Sequence, residues 1–430
     1  MRSVVSKCSP ELVVPSAKPP APAGEVINLS SFDKAIGSYP FTSFHVFRNG
    51  IVEPAMAIKT ALSQALAYYY PLAGRATTGA GNGGQLGISC TGEGVAFVAA
   101  TASCALGDVK LFDPPFAALL KDLAVEYPEE GCGEADPLLL MQVTEFACGG
   151  FVVGMTWNHG VADGKGIAQF LQAVGELARG LPRPSVLPVS CGDDSLPELP
   201  PMVAAMEKSM VRLEDKQFAY LDITIPASVI RRVKAEFAGD GGYSGEPCSV
   251  FEAVAAVLWR SRTRAVFSNP DAPAPLVFAA NVHKHVGARY GYYGNCVTSQ
   301  VVMATSGEVA NGDVKDAVKL IRRAKEQIPD QSKGAGGVAT NAAAAGMEEK
   351  QLAALSGYNA FFVASWRNIG FEAVDFGGGR PARVMCHVGP TAVPSCVACL
   401  PRDGDGASVL LLCVKAEHVG AFYAELESLR

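Results

Sequence analysis

Apolar and polar positions along the chain follow two spacings, one typical of helices and one typical of strands. Over 54–67 the apolar residues recur every three or four positions, which predicts a helix that Pro71 and Gly74 end. The same spacing predicts a helix that starts near Lys165 and runs to Leu177. Further helices are predicted at 227–238, 250–263, 314–326 and 417–428, and strands at 25–29, 41–47, 151–157, 220–225 and 276–282. This mixture indicates an α/β protein with layered sheets and helices.

Two short predicted strands, 86–89 and 95–99, are joined through Gly92 and Gly94, so a hairpin is expected there. The glycine-rich stretch 79–84 precedes them. It lacks the Lys-Ser/Thr ending of a phosphate loop, and no helix opens after it. It is therefore predicted to be a turn.

Proline-rich, non-periodic sequence from 181 to 201 marks a boundary between two domains. We expect an N-terminal domain over 1–190, a crossover linker over 191–215 and a C-terminal domain over 216–430. The Ala- and Gly-rich stretch 334–346 can pack little by itself and is predicted to be a mobile loop.

Composition excludes several classes of protein. The 430 residues are 49% hydrophobic, enough for a large core, and 36 basic against 42 acidic residues give a net charge of −6. Without a cluster of Lys and Arg, nucleic acid is not expected as a partner. The first 24 residues lack the apolar core of a secretory signal, and no apolar run reaches the roughly 20 residues that span a bilayer. We therefore expect a soluble, cytoplasmic, monomeric protein that makes no membrane contact.

The cysteines suggest neither a disulfide framework nor a metal site. Twelve are scattered along the chain, mostly within apolar sequence, so buried thiols are predicted. Cys396 and Cys399 have metal-ligand spacing, but no second CxxC or His pair accompanies them. No metal and no permanently bound cofactor are predicted.

The predicted strand 151–157 runs directly into the segment from Asn158 to Gly164, which places His159 at a strand-to-helix turn. A neutral imidazole can accept a proton from an attacking hydroxyl or amine. Gly160 lets the backbone bend away and leaves room for substrate beside the ring, and Asp163 can cap the next helix. A purely structural histidine and an ordinary cap remain alternatives, as does a His-Asp dyad, although no serine stands in a G-x-S-x-G turn.

Three segments in one order carry a family resemblance: His159 to Gly164, Tyr292-Tyr293-Gly294-Asn295, and Asp375-Phe376-Gly377-Gly378-Gly379. They resemble the HxxxDG and DFGWG motifs of the plant BAHD acyltransferases. The resemblance covers nearly the whole chain. It implies two similarly sized α/β domains of the chloramphenicol-acetyltransferase type, the first carrying HxxxD and the second the DFGGG segment, with a channel at their interface.

The resemblance also implies an activity. Acyl-CoA would act as co-substrate, and His159 would deprotonate an alcohol or amine acceptor, which then attacks the thioester. Asp163 and the residues Asp375, Gly377 and Gly379 would be structural. The indole N–H of Trp366 is a candidate donor to the oxyanion, with a core aromatic as the alternative.

The chain departs from the family pattern at three positions, which concern the partner of Asp163, the DFGGG loop and the choice of acceptor. His283 stands where the family has the arginine that pairs with the Asp of HxxxD, so either His283 or Asn281 is expected to take its place. Gly378 replaces the Trp of DFGWG, which predicts a locally different loop. Asn368 replaces the Arg that holds acceptor carboxylates in some members, so a neutral alcohol or an amine is favoured.

Substrate-binding candidates, besides Gly160 and Asn368, are Ser31, Asp33 and Tyr39, each of which could instead have a turn or packing role. An acidic group such as Asp33 would favour an ammonium-bearing acceptor at the pocket entrance, which keeps N-acylation open. The expected acyl group is aromatic, benzoyl or hydroxycinnamoyl, and the product an ester or phenolamide. Two alternatives are a condensation-type enzyme using carrier-bound thioesters, although Asn158 replaces its first histidine, and a non-catalytic partner protein.

Overall fold

The computed structural model describes residues 4–18, 25–78, 86–113, 116–127, 132–190, 196–199, 217–239, 247–267, 269–328, 354–355, 357–387, 393–401 and 406–430. The predicted turn at 79–84, the predicted loop at 334–346 and most of the expected linker 191–215 lie outside the described residues. Among the described helices, none is both long enough and apolar enough to cross a membrane.

The chain divides into two compact units. Unit 1 consists of Met1–Leu196, Gly287–Cys296 and Arg367–His387, and unit 2 consists of Pro197–Val286, Val297–Trp366 and Val388–Arg430. The first transition falls close to the boundary expected from the proline-rich sequence. Two later segments, however, return to unit 1, whereas all of 216–430 was expected in the second domain. They carry the Tyr293–Asn295 and DFGGG motifs.

The strands, in chain order, are β1 (Val5–Lys7), β2 (Glu11–Val13), β3 (Val26–Asn28), β4 (Pro40–Phe47), β5 (Arg75–Thr77), β6 (Gly87–Ser89), β7 (Val95–Ala102), β8 (Leu139–Phe146), β9 (Phe151–Asn158), β10 (Phe218–Ile225), β11 (Leu276–Asn281), β12 (Val297–Val302), β13 (Phe361–Ser365), β14 (Arg383–His387), β15 (Ser395–Cys399) and β16 (Ala407–Lys415). The helices are α1 (Ser31–Ile36), α2 (Pro54–Tyr68), α3 (Gly164–Ala178), α4 (Ala227–Ala238), α5 (Val250–Val266), α6 (Ser306–Asn311), α7 (Val314–Glu326) and α8 (Val419–Glu427). The long predicted helices and strands are thus confirmed to within a few residues.

The main sheet of unit 1 has the order β1-β7-β8-β9-β4-β14, with β2 also pairing with β7. All residues of β9 are buried. A strand covered on both faces reads as a continuous apolar run, which is why it was recognisable in the sequence. The late strand β14 pairs antiparallel with β4, Val384 lying opposite His45. This pairing explains why 367–387 belongs to unit 1.

The predicted hairpin of 86–89 and 95–99 is wrong. Strand β6 pairs with β3 and β5 in a separate three-stranded sheet, whereas β7 pairs with β1, β2 and β8. Gly94 lies so close to β2 that a Cβ there would be 2.4 Å from the carbonyl oxygen of Val13. The glycines between the two strands therefore allow a close approach to a third strand.

Unit 2 is built on a six-stranded sheet of order β10-β16-β15-β13-β11-β12, with two parallel pairings, β11–β13 and β13–β15. Cys396 and Cys399 lie on β15 as buried free thiols. Of the other described cysteines most are also buried, as predicted, but Cys8 and Cys148 are exposed.

Candidate active site

His159 lies directly after β9, in a short 3-10 turn, His159–Val161, that precedes α3. The side chain of Asn158 accepts a hydrogen bond from Gly160 N at 2.9 Å, which closes the turn. His159 N donates to the carbonyl oxygen of Tyr39 at 2.7 Å. The predicted strand-to-helix turn is therefore present, and it is fixed at both of its ends.

Position 160 must be a glycine because the backbone of Gly37 lies very close to it. A Cβ at this position would lie 2.7 Å from the carbonyl oxygen of Gly37, inside the contact distance of real side chains. Gly160 was expected to leave room for substrate beside the ring. In the structure, the space that the missing side chain leaves is filled by the chain itself.

Asp163 caps helix α3, as predicted. Its Oδ1 accepts from Gly166 N at 2.9 Å, and its Oδ2 accepts from Cys296 N at 3.1 Å. The side chain is 2% exposed. Because both oxygens bind backbone amides, the carboxylate holds the turn and a second chain segment together rather than orienting the imidazole, and the dyad alternative loses support.

His159 is partly exposed, and its ring lies near two aromatic side chains. Its centroid is 5.7 Å from that of Phe41, edge to face, and 6.1 Å from that of Trp157. Burial lowers the pKa of His159, and the nearby charge of Asp163 opposes this only in part. Near neutral pH the imidazole is therefore uncharged, the form that can accept a proton.

Asp33 contradicts the expectation that it stands at a pocket entrance. It lies in α1, is 0% exposed, and cannot meet an ammonium group that arrives from solvent. Instead, its Oδ1 accepts from Asn295 N at 2.8 Å and from Asn295 Nδ2 at 2.9 Å. Asn295 Nδ2 also donates to the carbonyl oxygen of His159 at 2.7 Å. Asp33 is thus part of the framework behind His159.

The other substrate-binding candidates differ in their relation to His159. Tyr39 contributes its backbone carbonyl to the histidine turn, and burial, reinforced by Cys386, raises the pKa of its phenol to about 12. Ser31 is the first residue of α1 and is partly exposed. Asn368 is exposed in a turn with φ of +62°, a conformation that asparagine tolerates better than most residues. The structure thus brings Tyr39 and Gly160 to the turn.

Sequence reasoning missed the part that the segment 292–296 has in this site. A Cβ on Gly166 would lie 1.8 Å from the carbonyl oxygen of Tyr293, so α3 packs directly on the backbone of the segment. Asn295 is 1% exposed and lies 136 positions from its partner His159. No local pattern signals such a contact, and only the family motif drew attention to these residues.

Known proteins resemble this chain along its whole length. A family model described as the Transferase family matches residues 3–429. Acyl transferase 15 of Oryza sativa subsp. japonica is 43% identical over 447 residues, which is 100% of this chain and 99% of that protein. The chain belongs to the BAHD acyltransferase family. It is thus an acyl-CoA-dependent acyltransferase of plant specialised metabolism, as the family resemblance implied.

Two further likenesses bear on this acyltransferase. The myricetin 3-O-glucosyl 1,2-rhamnoside 6'-O-caffeoyltransferase AT1 of Crocosmia x crocosmiiflora is 33% identical, over 99% of this chain and 99% of that protein. TRI101 of F. graminearum, crystallised with coenzyme A and T-2 mycotoxin, has a TM-score of 0.70 at 17% identity, covering 93% of this chain and 97% of that one. The second likeness confirms the expected two-domain α/β fold.

The DFGGG segment of the acyltransferase is a compact loop closed by its own aspartate. Asp375 Oδ1 accepts from Gly377 N at 2.7 Å and from Gly379 N at 2.9 Å. Both glycines have positive φ, 116° and 97°. Arg179, at the end of α3, donates to the carbonyl oxygen of Asp375. These contacts fit the structural role that was expected of the three residues.

The surroundings of Gly378 explain why a glycine stands at this position. A Cβ there would lie 2.6 Å from the carbonyl oxygen of Asn49, while Asn49 Nδ2 donates to Gly378 O at 3.0 Å. The family's tryptophan could not stand at this position unless one of the two backbones moved.

His283 and Asn281, the two candidates for the missing family arginine, bond to each other within unit 2. His283 Nδ1 lies 2.9 Å from Asn281 Oδ1, which also accepts from His283 N at 3.1 Å. Trp366 follows β13, is 7% exposed, and donates its backbone N–H to Ala398 O at 2.8 Å. The role of its indole as an oxyanion donor stays a prediction.

Proposed function

We propose that this acyltransferase moves an aromatic acyl group, benzoyl or hydroxycinnamoyl, from a coenzyme A thioester to a hydroxyl or amine of a small plant metabolite. The Crocosmia relative, a caffeoyltransferase, supports an aromatic group. The coenzyme A complex of TRI101 supports the donor, which would be a co-substrate and not a resident cofactor. The product is an ester or a phenolamide.

The observation that carries the proposal is the state of His159. It is neutral because burial lowers its pKa, it is partly exposed, and its backbone is fixed by Tyr39 and Asn295. A general base needs these three properties together: the unprotonated form, access to the substrate and a fixed position. Nδ1 is buried, so the proton acceptor in our proposal is Nε2.

The reaction then needs no covalent acyl-enzyme. Nε2 of His159 takes the proton from the acceptor hydroxyl or amine as its oxygen or nitrogen attacks the thioester carbon. The tetrahedral intermediate collapses, the carbon–sulfur bond breaks, and the leaving coenzyme A thiolate takes the proton back from the imidazolium. Proton and charge balance within one turnover, and the histidine returns to its neutral form.

The test is the release of free thiol from benzoyl-CoA and from a hydroxycinnamoyl-CoA, each with a panel of alcohols and amines. His159→Ala should lower turnover by about two to four orders of magnitude. His418→Ala, which changes a histidine of unit 2 that bonds to Tyr358, should keep the wild-type rate. Near-full activity in His159→Ala would remove the histidine from the proposed role.

The proposal also includes the cytoplasmic location and the monomeric state that the sequence led us to expect. Fractionation of plant tissue that expresses a tagged chain tests the location. Light scattering of the purified protein tests the oligomeric state, and a mass of twice 44.9 kDa would contradict the monomer.

A further inference from the structure

Two buried carboxylates hold adjacent backbone amides of the segment 292–296. Asp33, from α1, accepts from Asn295 N at 2.8 Å, and Asp163, from the cap of α3, accepts from Cys296 N at 3.1 Å. Both side chains have exposed fractions of 2% or less. The backbone on either side of the Asn295 side chain is therefore fixed independently of that side chain.

The Asn295 side chain connects one of these carboxylates to the histidine turn. Its Nδ2 donates both to Asp33 Oδ1, at 2.9 Å, and to His159 O, at 2.7 Å. The residue is 1% exposed, so bulk water has little access to replace either bond. This amide thus holds the His159 carbonyl, in addition to the bond that His159 N makes to Tyr39 O.

Asp33 decides which way the amide of Asn295 points. An ionised carboxylate can only accept hydrogen bonds, so the NH₂ end of Asn295 must face it, and one hydrogen is left for His159 O. The other oxygen of Asp33 is held by Ser30 N at 3.0 Å and Ser30 Oγ at 2.6 Å, which prevents the carboxylate from turning away. Asn295 Oδ1 is buried and finds no partner among the described residues, a cost that fits a residue kept for its donor end.

We propose that Asp33 is a positioning residue for acyl transfer, acting through the side chain of Asn295 on the carbonyl of His159. The inference rests on the proposed role of His159 as general base. It goes beyond that role because it assigns the orientation of the base to a carboxylate that touches neither substrate nor imidazole. Asp163 has the separate task of holding α3 and Cys296.

A double-mutant cycle measures whether the two residues act as one unit. Asp33→Ala and Asn295→Ala should each lower kcat at least about tenfold, because small displacements of a reacting group are costly, while KM for the acyl donor changes less than about twofold. The double variant should be no slower than the slower single variant, within about threefold. Effects that multiply, or an unchanged kcat in Asn295→Ala, would overturn the proposal.

Two further variants guard against misfolding as the explanation. Asp33→Asn keeps an oxygen towards Asn295 and should retain kcat within about threefold of the wild type, since a conservative replacement preserves the bond. Glu252→Gln alters a buried carboxyl of unit 2 and should leave kcat per folded molecule unchanged. If His159→Ala is fully active, the proposed function fails; if it is inactive but the cycle is multiplicative, only the positioning role fails.

Discussion

Helix α1 of unit 1 and helix α5 of unit 2 begin with the same motif and differ in what their acidic residue meets. In both, a serine caps the helix and an acid three positions later bonds back to the serine amide: Ser30 with Asp33, and Ser249 with Glu252. Asp33 is 0% exposed and Glu252 1%. Judged by these local contacts alone, the two caps would be interchangeable.

The remaining partners of Asp33 and Glu252 differ in charge, and the pKa values of the two acids shift in opposite directions. Asp33 meets neutral donors, the two amides of Asn295. Glu252 meets Arg322, at 2.8 Å and 3.2 Å, and Lys325 at 2.9 Å. Burial therefore raises the pKa of Asp33 to about 6, whereas for Glu252 burial is outweighed by Arg322, the Ser249 amide and Lys325, and its pKa falls to about 2. The same motif therefore has two roles. In unit 1 its acid binds neutral amides close to His159, and in unit 2 its acid forms buried ion pairs.

Removal of the acid should cost most in unit 2. Glu252→Ala leaves the buried Arg322 without the carboxylate that it pairs with. We expect the free energy of unfolding to fall by about 3–5 kcal/mol, as for other broken buried ion pairs. Asp33→Ala strands only neutral amides and should cost about 1–3 kcal/mol. Urea denaturation of both variants measures the difference, and equal losses would mean that the charges opposite Glu252 are irrelevant.

The two acids should respond to pH in opposite directions. The folded pKa of Asp33, about 6, exceeds its ordinary value of 3.8, so its contribution to stability is complete below pH 4 and decreases by about 3 kcal/mol as pH rises through 6. The folded pKa of Glu252, about 2, is below its ordinary 4.5, so its contribution is complete above pH 4.5 and decreases as pH falls towards 2.

The pH effect is measured as the unfolding free energy of the wild type minus that of Asp33→Asn, and likewise for Glu252→Gln, between about pH 3 and pH 8. The first difference should fall with rising pH and the second should rise. Parallel curves would show that the opposite partners do not control the two protonation equilibria.

We expect stability to depend on close backbone contact at α3 in unit 1, whereas it depends on charge at Glu252 in unit 2. Gly166→Ala places a Cβ 1.8 Å from Tyr293 O and should cost about 1–3 kcal/mol by overpacking, with little dependence on salt. Gly107→Ala, where nothing lies within 4 Å, is the matched control and should change stability by less than about 0.5 kcal/mol. Thermal unfolding at low and high salt measures both, and a neutral Gly166→Ala would contradict the packing of α3 on the segment 292–296.

The smallest effect is expected from Lys325→Ala. The lysine side chain is 36% exposed and Arg322 still neutralises Glu252, so the loss should be below about 1 kcal/mol and should shrink as salt is added. The same denaturation series measures it. A loss as large as that of Glu252→Ala would mean that the lysine, and not the arginine, is the essential partner.

The parts of the fold that could be predicted from the sequence are those whose signal is local. Strand β9 is a continuous apolar run and α3 an amphipathic stripe, so the turn that holds His159 could be located from these two patterns alone. The cap at Asp163 followed from the same reasoning. Helix α1 was missed because its six residues are too few to show a period, although the Ser30–Asp33 motif stands in the sequence.

Contacts between distant positions were beyond such reasoning. The hairpin prediction failed because β6 and β7 pair with other strands, and the sequences of the two short segments do not indicate which strands those are. Asp33 was expected at a pocket entrance, and the residue that bonds to its carboxylate, Asn295, lies 262 positions away, where no local pattern points to it. Family motifs located that region of the chain but not the bond.

The return of β14 and of the segment 292–296 to unit 1 has a consequence for synthesis on the ribosome. The first 196 residues emerge early and contain β9, which pairs with one edge of β4, yet β14, the strand on its other edge, is not available until residue 387 has left the exit tunnel. Until then β4 presents an open edge, a surface on which a nascent chain can aggregate. Unit 1 therefore cannot mature in the order of translation, and chaperone occupancy of β4 during elongation should end only when β14 appears.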